Sequence, residues 1–393
     1  MHLTKDEEHI FDGERGWANQ ICMKILVRLG ELFKAQKLIP IDSAHISGVS
    51  YKTLGDAPIE FLQALADAGG RTRVKATLNP QSLDPKYLLT RLPKAITNKQ
   101  LTILKQFDKM GVTQSLTCTP YYLVKPEHSS HLAWAESSAV IYANSVLGAC
   151  TNREGGPSAL AAAIIGKTPD YGMHVSENRR PNISVNVETK LQDETEFGAL
   201  GILLGRILAD KIPVIQGLEN ASESDLKQLS AALGSTGMTN MFHLIQDSHQ
   251  IKKEKLQKIN VETQDIKRTI ESLTTASTQK PDLIFIGCPH CSRNELAKIA
   301  CLAQGKKIKP QAELWVCTSR HVKQQAAADV EKIEGSGGHV LTDVCTIVSW
   351  TEMLGIKTIM TNSAKTAHYA PTLSKAETIL APLTECLKTA FQG

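Results

Sequence analysis

Beyond residue 282 the chain alternates short apolar runs with helical segments, and few folds accommodate that pattern. Residues 282–287 (DLIFIG), 313–318 (ELWVCT) and 357–361 read as strands, with helices over 294–303 and 321–334. An apolar run too short for a buried helix, followed by a segment of helical spacing, is one βα unit. Repeated units build a parallel sheet covered by helices. Ligands of such sheets sit beyond the carboxyl ends of the strands. Gly287 and Cys288, Thr318 and Ser319, and the stretch from Thr361 to Ser363 fall at those ends.

The N-terminal part is a mixture of the same elements. Ile21, Ile25, Leu29 and Leu32 recur at helical spacing within a helix over 14–36. A short strand over 37–41 precedes a Gly- and hydroxyl-rich loop, residues 45–55, which opens onto a helix at 58–68. Residues 73–78 read as a strand ending at Asn79-Pro80, and 103–110 as a helix stopped by Gly111. Cys118 lies on a short strand or loop, 115–119. A helix then a tight turn is expected over 131–148, a Pro-initiated helix over 157–165, and a buried helix over 195–208. Residues 250–281 are charged and rich in Thr and Ser and read as an exposed helical connector. The expected organisation is therefore an α/β region over 1–250, a connector over 251–281, and a second α/β region over 282–393.

With 393 residues and 42% apolar content the chain can bury a large core. A net charge of +4 over this length excludes intrinsic disorder and gives no support to a nucleic-acid-binding class. No apolar run reaches the roughly 18 residues of a membrane span. The polar, acidic start lacks an apolar signal region, so a cytoplasmic location is expected, with neither membrane nor nucleic acid as partner.

Nine cysteines, an odd number, do not form a natural disulfide framework. Cys118, Cys288 and Cys345 sit in loops at element ends among Thr, Pro and Gly. There the backbone can turn and its amides can hydrogen-bond sulfur, as a thiolate ligand requires. Cys22, Cys301, Cys317 and Cys386 fall inside helices, a strand or the tail and read as small core thiols. Cys288-Pro289-His290-Cys291 is a CxxC, open on motif grounds to a redox pair, half a zinc site or a cluster ligand. Three lone thiolates holding an iron–sulfur cluster would leave one iron open as a Lewis acid for a hydro-lyase.

Other groups suit anions. Ser47-Gly48-Val49-Ser50, followed by Tyr51-Lys52, offers backbone N–H groups, hydroxyls and an ammonium, or is an ordinary turn. Thr151-Asn152-Arg153-Glu154-Gly155-Gly156-Pro157 places an Arg in a polar loop. Glu136, Ser137 and Ser138 interrupt an apolar segment, as an acid–base group or as a helix cap. Lys365 follows a strand end. His174, His243, His290 and His368 are scattered, and each taken alone reads as structural.

The stretches 39–52 (IPIDSAHISGVSYK), 116–122 (LTCTPYY), 151–158 (TNREGGPS), 286–292 (IGCPHCS) and 341–345 (LTDVC), in this order, resemble the aconitase X family. The resemblance spans nearly the whole chain. It implies an aconitase-like α/β architecture of several subdomains with parallel sheets flanked by helices. It also implies a hydro-lyase with a 4Fe–4S cluster held by Cys118, Cys288 and Cys345. Substrate contacts carry over to Gly48, Val49, Ser50, Asn79, Pro80, Glu136, Ser137 and Lys365, with Glu136 and Ser137 also as catalytic residues and Cys291 as a neighbour of the cluster. Cys150 stands where many members are expected to have Arg, and is not counted as a fourth ligand. The absence of a swivelling domain after Gly393 points to the two-subunit archaeal branch, which dehydrates the phosphorylated hydroxy acid (R)-5-phosphomevalonate to trans-anhydromevalonate 5-phosphate in isoprenoid synthesis. A small swivelling subunit would then complete a heterodimer and supply the base. The alternative within the family is another hydroxy acid, such as cis-3-hydroxy-L-proline.

Overall fold

The computed structural model describes residues 1–245, 256–278 and 280–391. The chain forms two compact units. One is Met1–Leu83 with Leu92–Arg180, the other Asp84–Arg91 with Pro181–Gly393. Among the described residues no helix is long and apolar enough to cross a membrane.

In the first unit, strands β1 (Leu38–Pro40), β2 (Ser43–Ile46), β3 (Lys75–Leu78), β4 (Leu132–Trp134) and β5 (Lys167–Pro169) make two sheets. β1 pairs antiparallel with β5. β2 lies between β3 and β4, parallel to both. Beyond β3 the extended segment 113–117 continues this sheet. The Thr113 N–H donates to the Ala76 carbonyl at 2.9 Å and the Thr117 N–H to that of Leu78 at 3.0 Å. The helix Gly156–Ile165 is buried from Ser158 onward. Its run of alanines lets it lie against β2, β4 and the helix Trp17–Leu32. That last helix buries Ala18, Cys22, Met23, Leu26, Val27 and Gly30. The expected stripe of Ile21, Ile25 and Leu29 is only half-buried, and Leu32 is exposed. The helix is apolar over more than one face, so spacing alone could not choose the inward one.

The second unit carries two parallel sheets. β6 (Ile183–Val187), β7 (Pro213–Gln216), β8 (His243–Leu244) and β9 (Gln257–Val261) are ordered β8-β7-β6-β9. β10 (Leu283–Cys291), β11 (Glu313–Thr318), β12 (His339–Thr342), β13 (Thr358–Thr361) and β14 (Glu377–Leu380) are ordered β12-β11-β10-β13-β14. Every residue of β10 is buried, as a central strand covered on both faces requires. The helices Glu194–Leu208 and Glu223–Thr236 approach closely at Gly201, where a Cβ would lie 2.6 Å from the Leu229 carbonyl oxygen.

The division of the chain differs from the one expected. It falls near residue 180, not at 250, and the region 251–281 is not a free connector. Its residues 251–255 and 279 lie outside the described residues. The rest contributes β9, paired along its length with β6, and the helix Thr263–Leu273, which buries Ile266, Thr269 and Leu273. Charge on the outer face of both elements hides a narrow apolar inner face. Nor does residue 84 continue the first unit. The Asp84 carboxylate accepts the N–H groups of Lys86, Tyr87 and Thr342 at 2.9, 2.6 and 3.0 Å. Tyr87 stacks on His339 at 3.9 Å, and Arg91 pairs with Glu313 at 3.3 Å.

Candidate functional site

In the first unit, the parallel order of segment 113–117, β3, β2 and β4 brings four chain ends to one edge of one sheet. Cys118 follows the first, Asn79 and Pro80 follow β3, Gly48, Val49 and Ser50 follow β2, and Glu136 and Ser137 follow β4. Gly48 has φ +73°, a left-handed conformation that favours glycine. The buried Gln100 amide holds the 48–50 loop from behind. It donates to the Val49 carbonyl at 2.9 Å and accepts the Tyr51 N–H at 2.9 Å and the Ser82 hydroxyl at 2.7 Å. Gly156, from the TNREGGPS stretch, lies so close that a Cβ would sit 2.5 Å from the Ser47 carbonyl oxygen.

Both oxygens of Glu136 are engaged. One oxygen accepts the Ser138 N–H and hydroxyl at 3.3 and 2.8 Å, so the residue caps the helix Ser137–Tyr142. The other accepts the Asn79 amide at 2.7 Å. The orientation of that amide is set by a residue that sequence reasoning missed. His45 on β2 is fully buried, with Nδ1 2.8 Å from the Thr77 hydroxyl and Nε2 3.4 Å from Asn79 Oδ1. Burial pulls its pKa down to about 4, against the opposing pull of the Glu136 charge. A neutral imidazole that donates from Nε2 leaves Asn79 one choice, to present its NH2 to Glu136. No motif marks His45: the sequence reads it as the first residue of the loop 45–55, whereas it lies inside β2.

Cys118 is half-buried, between Leu116 with φ +46° and Thr119. The Thr119 N–H donates to the Thr117 hydroxyl at 3.2 Å, and the two threonine hydroxyls are 3.1 Å apart. Cys150 is buried at the opposite end of β4, where its carbonyl accepts the Leu132 N–H at 2.9 Å. A half-buried cation near it is Arg179, which donates to the carbonyls of Asn144 and Ala149 at 3.1 and 2.9 Å. Glu154 reaches the carboxyl end of β4, its N–H donating to the Trp134 carbonyl at 3.0 Å.

The second unit repeats the arrangement with Cys288, Cys345 and Lys365. The strand expected to stop at Gly287 runs on as β10 through a bulge to Cys291. Gly287 has φ +110°, and a Cβ there would lie 2.3 Å from the Cys317 carbonyl oxygen. The Cys288–Pro289 peptide is cis. Cys345 follows β12 through Asp343, which is left-handed at φ +68° and fully buried. The Asp343 carboxylate is gripped by the Arg320 guanidinium, with Nε at 2.9 Å. Burial pushes the Cys345 thiol up to about 12, and the neighbouring Cys288 adds to it. The N–H groups of Val348 and Ile347 and the Lys365 ammonium work the other way, favouring thiolate. Lys365 opens the helix Ala364–Tyr369, which follows β13. Cys291 is buried opposite Thr318, and burial raises its thiol strongly, which suits an inert neighbour more than a redox thiol. Among the described residues no group of three or more His, Cys, Asp and Glu side chains is gathered to hold a metal ion.

The three successive domain descriptions of one family match this chain: Aconitase X first domain over residues 1–177, second domain over 181–271 and third domain over 281–392. The phosphomevalonate dehydratase large subunit of Methanocaldococcus jannaschii is 45% identical, over 99% of this chain and all of that protein. The cis-3-hydroxy-L-proline dehydratase of Pseudomonas aeruginosa is 32% identical, over all of this chain and 70% of that protein. The crystal structure of Thermococcus kodakaraensis aconitase X in its holo-form superposes with a TM-score of 0.93 at 40% identity, covering 99% of this chain and all of that one. Sequence, domain order and fold agree, and the chain belongs to the aconitase X family.

Proposed function

We propose that this chain is the large subunit of a two-subunit hydro-lyase that removes water from (R)-5-phosphomevalonate to give trans-anhydromevalonate 5-phosphate. The observation that carries the reading is that five archaeal relatives, 38–45% identical over nearly their whole length, bear the name phosphomevalonate dehydratase large subunit. That name implies a small subunit as partner, here a swivelling domain that supplies the base. The cytoplasm is the compartment that fits such a soluble metabolic step.

The donor set suits an iron–sulfur cluster. Cys118, Cys288 and Cys345 would hold it. In support, Cys288 lies near enough for its charge to act on the Cys345 thiol, and backbone amides and Lys365 favour the Cys345 thiolate. A 4Fe–4S cluster with three thiolates and one open iron supplies, when bound, a Lewis acid for a leaving hydroxyl. The chain's own groups do the rest. The Gly48, Val49 and Ser50 loop, with Asn79 and Pro80, holds one end of the substrate by backbone N–H groups and the Asn79 amide. Lys365 holds an anionic group by charge. Glu136, oriented by Asn79 and by its own capping bonds, faces the leaving hydroxyl and delivers or accepts its proton at a carboxylate oxygen, with Ser137 beside it.

The test is anaerobic co-expression with the candidate small subunit and assay with 5-phosphomevalonate. Anhydro product that disappears when the small subunit is omitted supports the reading. An iron-loaded complex that dehydrates cis-3-hydroxy-L-proline and leaves the phosphorylated acid untouched would reject the substrate and keep the reaction class.

A further inference from the structure

We infer that His290, anchored by Lys227 and Glu295, is the positioning residue that fixes Cys345 relative to Cys288. The inference rests on the reading of these two cysteines as cluster ligands and deepens it. His290 is buried in the irregular end of β10, two residues past Cys288. Its Nε2 lies 3.0 Å from the carbonyl oxygen of Val344, the residue before Cys345. A carbonyl can only accept, so the proton is on Nε2 and the imidazole is the donor. This bond joins the loop of one cysteine directly to the strand of the other.

The main chain of His290 is held as firmly as its ring. Lys227, 1% exposed on the helix Glu223–Thr236, donates to the His290 carbonyl at 3.1 Å and pairs with Glu295. Glu295 in turn accepts the Ser292 N–H at 2.7 Å in the capping box of the helix Arg293–Ala303. The Thr318 hydroxyl holds the next carbonyl, that of Cys291, at 2.6 Å. The chain just after Cys288 is therefore tied to the helix Glu223–Thr236, to β11 and to the cap of the helix Arg293–Ala303. The loop after β12 is different. It leaves the sheet at Thr342, passes left-handed Asp343, and reaches Cys345 outside any strand pairing. Arg320 holds Asp343 at the start of this loop, and the imidazole ties the residue next to Cys345 directly to β10. A lysine is costly to bury even when paired. Its placement against the backbone of the CxxC is accounted for if that backbone must not move when the thiolates change partners.

The test uses the full chain in cluster-free form and after anaerobic reconstitution with ferrous iron and sulfide. The variants are His290→Leu, His290→Gln and Cys345→Ser. Gln can still donate to the Val344 carbonyl and Leu cannot. His290→Leu should release iron to a ferrous chelator about 10- to 100-fold faster than wild type, the range seen when a bond orienting a metal ligand is lost. In cluster-free protein, the same variant should speed iodoacetamide labelling of Cys345 and leave Cys118, in the other unit, unchanged. His290→Gln should recover most of both. Three results overturn the inference: His290→Leu indistinguishable from wild type, His290→Gln as impaired as His290→Leu, or Cys118 labelled faster in step with Cys345. The Cys345→Ser arm separates the two levels. Loss of visible absorption in that variant with no effect of His290→Leu rejects only the positioning role. Full absorption retained in Cys345→Ser rejects the ligand reading, and the inference with it.

Discussion

A buried neutral histidine makes the first unit acid-sensitive in a way that can be computed. His45 titrates near 4 in the folded chain and near 6.5 when unfolded. Below pH 6.5 the unfolded chain therefore binds a proton that the folded chain refuses, and stability falls as pH falls. The contribution is complete above pH 6.5 and is lost on the way down to 4. Converted by the linkage relation, it is about 1 kcal/mol lost between pH 7 and 5.5, and about 3 kcal/mol by pH 4. His174 is displaced in the same direction, to about 3, by burial and then by His131 and Arg179. Wild type alone would confound the two, so the informative quantity is a difference. The perturbation is His45→Gln, which keeps a donor toward Asn79 but does not titrate. Urea unfolding of the cluster-free chain at pH 7 and 5.5, followed by a probe in the first unit, should show wild type losing about 1 kcal/mol more than the variant. With an m-value of about 2.5 kcal/mol per molar, this is about 0.4 M in midpoint. Equal pH losses in the two proteins would refute the argument. So would a ¹³C-His NMR titration in which His45 protonates near its ordinary value. The same reasoning predicts that His45 contributes no limb to the pH–rate profile between 5 and 8.

Other expectations follow from the site. Cys118→Ser, Cys288→Ser and Cys345→Ser should each lose visible cluster absorption after reconstitution, with far-UV circular dichroism retained. Three variants with full iron and activity would reject the ligand assignment. Glu136→Gln should lower kcat about 100-fold or more with a small change in KM, since a group that moves a proton typically contributes 10²–10⁴-fold; Asn79→Leu should follow it in direction, as the loss of one charge-assisted bond to that carboxylate. Gly287→Ala should destabilise the second unit by about 2–4 kcal/mol, read by thermal unfolding, because a Cβ at φ +110° would sit 2.3 Å from the Cys317 carbonyl oxygen. Removal of iron by anaerobic chelation should abolish dehydration and leave the fold intact, and reconstitution should restore it.

What could be read from the sequence followed from periodicity and from residue chemistry. The strands at 282–287, 313–318 and 357–361 each have an apolar centre, as buried parallel strands require, and they recur as β10, β11 and β13. Cysteines next to Gly, Pro and Thr at strand ends marked Cys288 and Cys345, and both lie at the carboxyl end of their sheet. The helix expected over 131–148 was half right. It hides β4, three residues too short to show a period, before the helix Ser137–Tyr142 and its continuation Ala143–Leu147. β9 was missed because four of its five residues are not buried, and an edge strand with so little inward surface leaves no alternation to read. The segment Asp84–Arg91 was assigned with its neighbours in sequence, whereas its partners are Thr342, His339, Trp315 and Glu313. Pairing across more than 200 residues leaves no local trace.

The same distinction divides the candidate site. Residues that meet substrate or cluster chemically are of types whose presence is itself a signal: a thiol at a turn, a carboxylate in an apolar run, a glycine beside a hydroxyl. Residues that hold them in place are not. His45, Gln100, Lys227, His290 and Asp343 are all buried, and each is hydrogen-bonded to a partner 23 to 63 residues away. A buried polar side chain is tolerated only where its hydrogen bonds are made, so its meaning lies in the partner, and the partner is specified by the fold. His290 makes the point within one motif. Read alone, it is the third residue of Cys288-Pro289-His290-Cys291 and one more scattered structural histidine. Read with Val344 and Lys227, it joins two loops that each carry a cysteine. The chemistry of this chain is therefore written in single residues, whereas the geometry that would make the chemistry work is written in pairs.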